Sequence, residues 1–239
     1  MNKIQTIKHH TSYISLVVLM LFSFTIVSCD EHEPIDVGIH PGHILLADGK
    51  IVSSDAYFSS GDSTAVGIIY SELVDGSHYL AVMLDELIPV QFCDSIGGMV
   101  QGTSCDINAY DGRANTIKLQ TSYDAKNGHG SPLAQIVYDG HAFGQSDFVP
   151  SVGEMKLLYA AKSTVNGVIN RLNQQSSRYK AVLISDDRVD GGCFYWTSTE
   201  VKENQKSQAW LFSMNSGTIQ ETGKNRYYHA RKISYVYYQ

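Results

Sequence analysis

The residues of this sequence able to do chemistry are its four cysteines, its nine histidines and one short acidic turn, and their spacing decides what they can do. His40 and His43 are separated only by Pro41 and Gly42, with no H-E-x-x-H pattern or Cys/His cluster beside them. Such a pair brings too few ligands to hold a metal. Asp186, Asp187 and Asp190 precede Gly191-Gly192 and have the donor chemistry of a calcium loop, but Thr197 stands where the closing Glu of an EF-hand belongs. A solvated turn is expected there. Neither G-x-S-x-G, nor a phosphate-cradling Gly loop, nor a glycosidase-type carboxylate pair is present. No catalytic residue, metal or cofactor is therefore expected.

The cysteines divide into one and three. Lys3 and Lys8 open the chain, an apolar run covers Ile14 to Val27, and Ile26-Val27-Ser28-Cys29 closes it. This is the plan of a secretory signal over residues 1–28, and its end resembles a bacterial lipobox, in which Cys29 takes the lipid. Residues 29–39, with Asp30-Glu31-His32-Glu33-Pro34, read as a solvated tether. The acidic run resembles the surface-export signals of gut-type Gram-negative lipoproteins. An oxidising compartment favours pairing of the other three cysteines, Cys93, Cys105 and Cys193. A Cys93–Cys105 bridge is preferred, closing a Gly-rich loop worth up to about 3 kcal/mol. A bridge from either to Cys193, or buried thiols, are the alternatives. No C-x-x-C occurs, so structural zinc is not expected.

The binding chemistry concentrates at the other end. Asn225-Arg226-Tyr227-Tyr228-His229 and Tyr235, Tyr237 and Tyr238 crowd the last residues, and Tyr offers large amphipathic contact area at low entropy cost. Alternation along a strand turns Tyr235 and Tyr237 inward, whereas Tyr227, Tyr228 and His229 are expected exposed in a loop. Bulk charge points away from polyanions: Lys plus Arg is 18 against 24 for Asp plus Glu. Without Lys3 and Lys8 the balance is 16 against 24, or −8. Nucleic acid is not an expected partner.

The elements that position these residues follow from turns and periodicity. With 239 residues and 43% hydrophobic side chains, one domain over residues 40–239 is expected. Short strands are expected over His43–Ala47 and Lys50–Ser53 around Asp48-Gly49, and over Ala65–Ser71 and Ser77–Leu84 around Asp75-Gly76. A helix is expected around Ile117 and Leu119, and a second from Ser131-Pro132 to near Gly140. Ser151-Val152-Gly153-Glu154 is a capping box, in which Ser151 and Glu154 satisfy backbone N–H groups reciprocally. Helical spacing from Met155 to Leu172 then predicts a long helix with a buried stripe. Strands return over Tyr179–Ile184, Cys193–Thr197, Ala209–Met214 and Ala230–Tyr237.

Several blocks together resemble a family. Phe194-Tyr195-Trp196-Thr197-Ser198-Thr199-Glu200, Ala209-Trp210-Leu211-Phe212, Asn215-Ser216-Gly217, Lys224 and Ala230-Arg231-Lys232-Ile233 stand in the C-terminal third. Upstream are Gly42-His43-Ile44-Leu45, Ala65-Val66-Gly67-Ile68, Asp111-Gly112-Arg113-Ala114-Asn115-Thr116 and Phe148-Val149-Pro150-Ser151. In this order they resemble the Lcl C-terminal-domain family of bacterial surface proteins, relatives of the Fibrobacter-type major paralogous domain, over residues 40–236. Phe148 replaces the usual Trp, and Ala230-Arg231-Lys232-Ile233-Ser234 replaces the common Val-Arg-Pro-Val-Arg.

The resemblance implies an α+β, C-type-lectin-like fold: two or three helices packed on a small, twisted, mostly antiparallel sheet. Trp196 and Trp210 would be core aromatics, Glu200 would fix a loop by hydrogen bonds, and C-terminal loops carrying Asn215 and Asn225 to His229 would shape a ligand surface. The calcium-binding Glu-Pro-Asn and Gln-Pro-Asp triplets of animal lectins are absent. The paired cysteines of formylglycine-generating enzymes, which share the fold, are also missing, because Cys193 stands alone before the Tyr-Trp block. The expected function is that of a lipid-anchored, adhesin-like protein on the bacterial outer membrane, binding an extracellular protein or glycan. A structural or tip subunit of a surface filament and a degenerate hydrolase are the alternatives. Some relatives of the fold are variable proteins that retroelements diversify by turning Asn codons into Tyr, Asp, His or Ser codons. Asn225, Tyr227, Tyr228 and His229 have that palette, though an ordinary Tyr-rich loop is the preferred reading.

Overall fold

Turn chemistry organises the first half of the molecule. In the computed structural model the described residues are 38–60, 64–94, 102–122, 130–139, 147–175, 181–184 and 193–237. Strands β1 (Ile44–Leu46) and β2 (Ile51–Val52) flank Asp48-Gly49, with Gly49 at φ 86°, and pair antiparallel. β3 (Ala65–Ile69) and β4 (His78–Gln91) are joined through Asp75 and Gly76 at φ 48° and 65°, the left-handed pair that suits a tight hairpin turn. Helix α1 (Ser54–Ser60) buries none of its residues, which is why no apolar stripe announced it.

The helices α2 (Gly112–Thr121) and α3 (Pro132–Asp139) lie where the turn signals put them, followed by β5 (Asp147–Phe148). The long helix α4 (Val152–Gln175) starts at the capping box: the Ser151 N–H donates to Glu154 Oε2 at 2.7 Å and the Glu154 N–H to Ser151 Oγ at 3.3 Å. Then come β6 (Phe194–Glu200), a single 3-10 turn at Lys202–Asn204, β7 (Gln208–Ser213), β8 (Ile219–Gly223) and β9 (Tyr227–Tyr237). No helix among the described residues is long and apolar enough to cross a membrane.

Among the described residues the architecture is α+β: four helices and a mostly antiparallel sheet of nine strands, ordered β2-β1-β3-β4-β9-β6-β7-β8 with β5 also against β9. β9 is the spine. One of its edges pairs with β4 from His78–Tyr237 to Gln91–Tyr227, and the other takes β5 and, in parallel at Tyr195–His229, β6. The period-2 alternation of β4 sorts its side chains cleanly. Leu80, Val82 and Leu84 join α4 residues Met155, Leu158 and Val165 in one cluster, while Tyr79, Ala81 and Met83 join Leu45, Val66 and Val236 on the opposite face. Trp196, Phe92, Leu211 and Ala230 form a third cluster under Leu119 of α2 and Leu133 and Val137 of α3.

The strand expected over Tyr179–Ile184 is not formed in its described part, residues 181–184. Side-chain amides of α4 take the place of a neighbouring strand. Asn173 exchanges two bonds with Ala181, at 2.7 and 2.9 Å, and Asn166 two with Ile184, at 2.8 and 3.0 Å. These bonds satisfy the backbone without a ladder. Strand β8 was not anticipated either: Gln220 and Glu221 are exposed, leaving no apolar alternation to read. Cys29 and the tether through residue 37, the acidic turn Asp186, Asp187 and Asp190, and Tyr238 lie outside the described residues.

Candidate ligand-binding surface

The Tyr-rich segment is a strand, not a loop. Tyr227, Tyr228 and His229 open β9, held by pairing with Gln91 and Val90 of β4. Alternation splits them. Tyr228 turns inward and meets Trp196 edge-on, with ring centroids 5.4 Å apart at 86°. Trp196 is fully buried and its Nε1–H donates to the Val90 carbonyl at 2.7 Å, so Tyr228 rests on a fixed support. Tyr227 points the other way and is 65% exposed. On β4, Ile88 is 71% exposed at an irregularity between Leu87 and Val90 that gives this strand one extra residue against β9.

The face of β9 carrying His229 and Arg231 is polar and paired. His229 Nδ1 lies 3.1 Å from Glu86 Oε2 and 3.3 Å from the Leu87 carbonyl oxygen, while Arg231 Nε lies 3.2 Å from Glu86 Oε1. Arg231 is fully buried, and Glu86 supplies the charge such burial requires. Its Nη2 also donates to the Val182 and Leu183 carbonyls, at 2.8 and 2.5 Å, tying residues 181–184 to the sheet. Glu86 had no local signal in the sequence, because its partners are more than 140 residues away.

The turn before β9 is braced from below. Lys224 and Glu200, both fully buried, form an ion pair, and Lys224 Nζ also donates to the Gln205 carbonyl at 2.6 Å and sits 5.3 Å from the Phe92 ring centroid. Glu200 thus acts on the turn through a lysine. Gln91 Nε2 donates to the Asn225 carbonyl at 2.8 Å, which leaves Asn225 half-buried and Arg226 exposed. Asn215 does not join them. It lies in the turn between β7 and β8, whereas Asn225 follows the opposite end of β8, so a five-residue strand, roughly 17 Å, separates the two.

Three further expectations are corrected. Trp210 is half-buried, not core, because Ala209 and Leu211 on either side point inward and alternation turns the indole out. Tyr235 packs on Phe148 and His78 as expected, but Tyr237 is 54% exposed, its hydroxyl accepting from Arg113 Nη1 at 3.0 Å. Cys93, Cys105 and Cys193 are thiols, so the Cys93–Cys105 bridge is not formed. Cys93 is buried in the cluster with Phe92 and Trp196, and Cys105 Sγ accepts from Gln205 Nε2 at 2.7 Å.

Glu154 and Lys232 are among the buried groups that titrate away from their usual range. Burial pushes the Glu154 carboxyl up to about 7, against the opposing pull of its bonds with Ser151 and Tyr235. For Lys232 burial acts downward, yet Asp85 at 2.9 Å and Asp147 at 3.4 Å outweigh it and hold the ammonium above its ordinary value. His43 Nδ1 engages the backbone of His40, at 2.9 Å from its oxygen and 3.1 Å from its nitrogen. Among the described residues no group of three His, Cys, Asp or Glu is placed to hold a metal ion.

No family model, curated protein or solved structure matches this chain. The site is therefore read from its own geometry. An exposed Tyr227, preceded by the exposed Arg226, stands on a strand whose next residue is anchored in the core, and such a surface can make contact without loss of sheet stability.

Proposed function

We propose that this protein is a lipid-anchored, adhesin-like binding domain of the bacterial outer membrane, C-type-lectin-like in architecture, and that it carries out no chemistry. Its ligand is an extracellular protein or glycan, engaged at the start of β9 through Arg226 and Tyr227. The observation that carries this reading is the division of labour between adjacent residues: Tyr228 packs on Trp196 while Tyr227 is 65% exposed. An exposed aromatic on a rigid support loses little entropy on binding. The lipobox-like Ile26-Val27-Ser28-Cys29 and the acidic tether support the anchor and the outward placement.

A filament subunit would offer a long, open strand edge for donor-strand pairing. The outermost strands of the described sheet are β2, of two residues, and β8, of five residues with Glu221 exposed on it, and both features blunt strand addition. A degenerate hydrolase would place its perturbed acid in an open pocket. Glu154 is instead enclosed by Ser151, Tyr235 and Gly112.

The test is a glycan and peptide array probed with the protein and with Tyr227→Ala. The expected result is a hit whose binding falls about tenfold or more in the variant while the melting curve is kept, a loss typical of a contact worth about 1.4 kcal/mol. A hit retained at full strength by Tyr227→Ala would move the ligand surface elsewhere.

A further inference from the structure

A second concave feature lies at the far end of β4 from Tyr227, roughly 40 Å along the strand. Here the turn from β3 to β4 stands away from α4 and leaves an open cleft of about 540 Å³, well within the roughly 300–1,000 Å³ of small-molecule sites. One wall is α4, with Leu157 and Ala161. The turn supplies Glu72 and Asp75, and Tyr70 and Tyr110 add two aromatic rings. The turn is held rigid by the left-handed Asp75-Gly76 pair and by the Val74 N–H donating to the His78 carbonyl at 2.7 Å.

The lining has one sign of charge. It contains two carboxylates and no lysine, arginine or histidine, so an anion would meet uncompensated repulsion. His40 lies outside the lining, with its Nδ1 3.3 Å from Glu72 Oε1. An independent feature is Tyr70. This residue lines the cleft and is 2% exposed, and its hydroxyl has no hydrogen-bond partner, which is uncommon for a buried polar group. An apolar wall, the partly exposed ring of Tyr110 and a negative rim together are the features that hold a cation on a hydrocarbon body.

We propose that this cleft binds a small organic cation, an amine carried on an aliphatic or aromatic body, with its charge at Glu72 and Asp75 and its body against Leu157, Ala161 and Tyr110. The site is separate from the β9 surface and does not rest on the function proposed for it.

The test uses three probes of one shape and different charge: phenethylamine, phenethyl alcohol and phenylacetate, titrated into the full chain by calorimetry or NMR. The amine is expected to bind about tenfold or more tighter than the alcohol, and phenylacetate weakest. Glu72→Gln with Asp75→Asn, both at exposed positions, should erase the preference for the amine and leave the alcohol unchanged. Ala160→Trp, at an exposed position of α4 lining the cleft, should abolish binding of all three. Equal binding of amine and alcohol, a preference that survives the double substitution, binding that survives Ala160→Trp, or no binding on the order of 10 mM would each overturn the proposal.

Discussion

The hydroxyl of Tyr235 lies 3.2 Å from Glu154 Oε1 and 3.3 Å from the Tyr110 carbonyl oxygen, both of them acceptors when the carboxyl is ionised. One phenolic proton cannot serve both. A protonated Glu154 resolves the conflict: its O–H donates to Tyr235, Tyr235 donates to Tyr110, and the Ser151 N–H still donates to Oε2. The site is closed on the remaining side by Gly112, where a Cβ would stand 2.6 Å from the Val149 carbonyl oxygen as well as against Glu154 itself. Burial favours the neutral acid and outweighs the bonds with Ser151 and Tyr235, which favour the carboxylate.

A pH dependence follows. The folded-state pKa of Glu154, about 7, is above its ordinary 4.5, so the folded protein holds this proton more tightly than the unfolded chain. The contribution is full below about pH 4.5 and is lost as pH rises to about 7, some 3 kcal/mol in all at about 1.4 kcal/mol per pH unit. Glu154→Gln, neutral throughout, should remove this loss from denaturant melts taken across that window. An identical pH profile in the variant would show that Glu154 titrates normally.

The two tryptophans should separate. Trp196→Ala is expected to cost about 3–5 kcal/mol, since it leaves a cavity and strands the Val90 carbonyl. Trp210→Ala, at a half-buried position, should cost about 1–2 kcal/mol. Equal losses in urea melts would contradict the inward and outward assignment.

A similar contrast holds for adjacent tyrosines. Tyr228→Ala removes the edge-on contact with Trp196 and should destabilise by about 1–2 kcal/mol. Tyr227→Ala should stay within about 0.5 kcal/mol. Calorimetric melting of the two variants decides the matter, and a larger loss at Tyr227 would reverse the register of β9.

Lys224→Ala leaves the buried Glu200 without its ion-pair partner and should cost about 3–5 kcal/mol. Joining Glu200→Gln to Lys224→Met should recover much of that loss. A double variant no more stable than Lys224→Ala would mean that the lysine acts through Gln205 and Phe92 rather than through the carboxylate.

Cys29→Ala tests the anchor. Fatty-acid labelling should disappear and the protein should leave the membrane fraction, since the −8 balance that remains without Lys3 and Lys8 gives no attraction to an anionic lipid surface. Retention in membranes without the label would remove Cys29 from the proposal.

What the sequence determined by itself lies within a few residues of each signal. The capping box Ser151/Glu154 started α4, Pro132 opened α3, and Asp75-Gly76 made the hairpin turn, because N–H satisfaction and backbone sterics act over one to four residues. The α+β class, which the resemblance of the motif blocks implied, is the class the described residues form. Tertiary structure alone decided the site. Tyr227, Tyr228 and His229 carry turn-like neighbours, yet Gln91 and Val90, more than 130 residues earlier, draw them into β9 and choose which ring is buried. Distant pairing also put Glu86 beside His229 and Arg231, turned Trp210 outward while Trp196 went in, and kept Asn215 away from Asn225. Residues 181–184 were pulled out of strand form by Asn166 and Asn173. For β9 and Glu86 the deciding energy is a hydrogen bond or a buried surface shared between segments far apart in the chain, and only the assembled sheet brings those segments together.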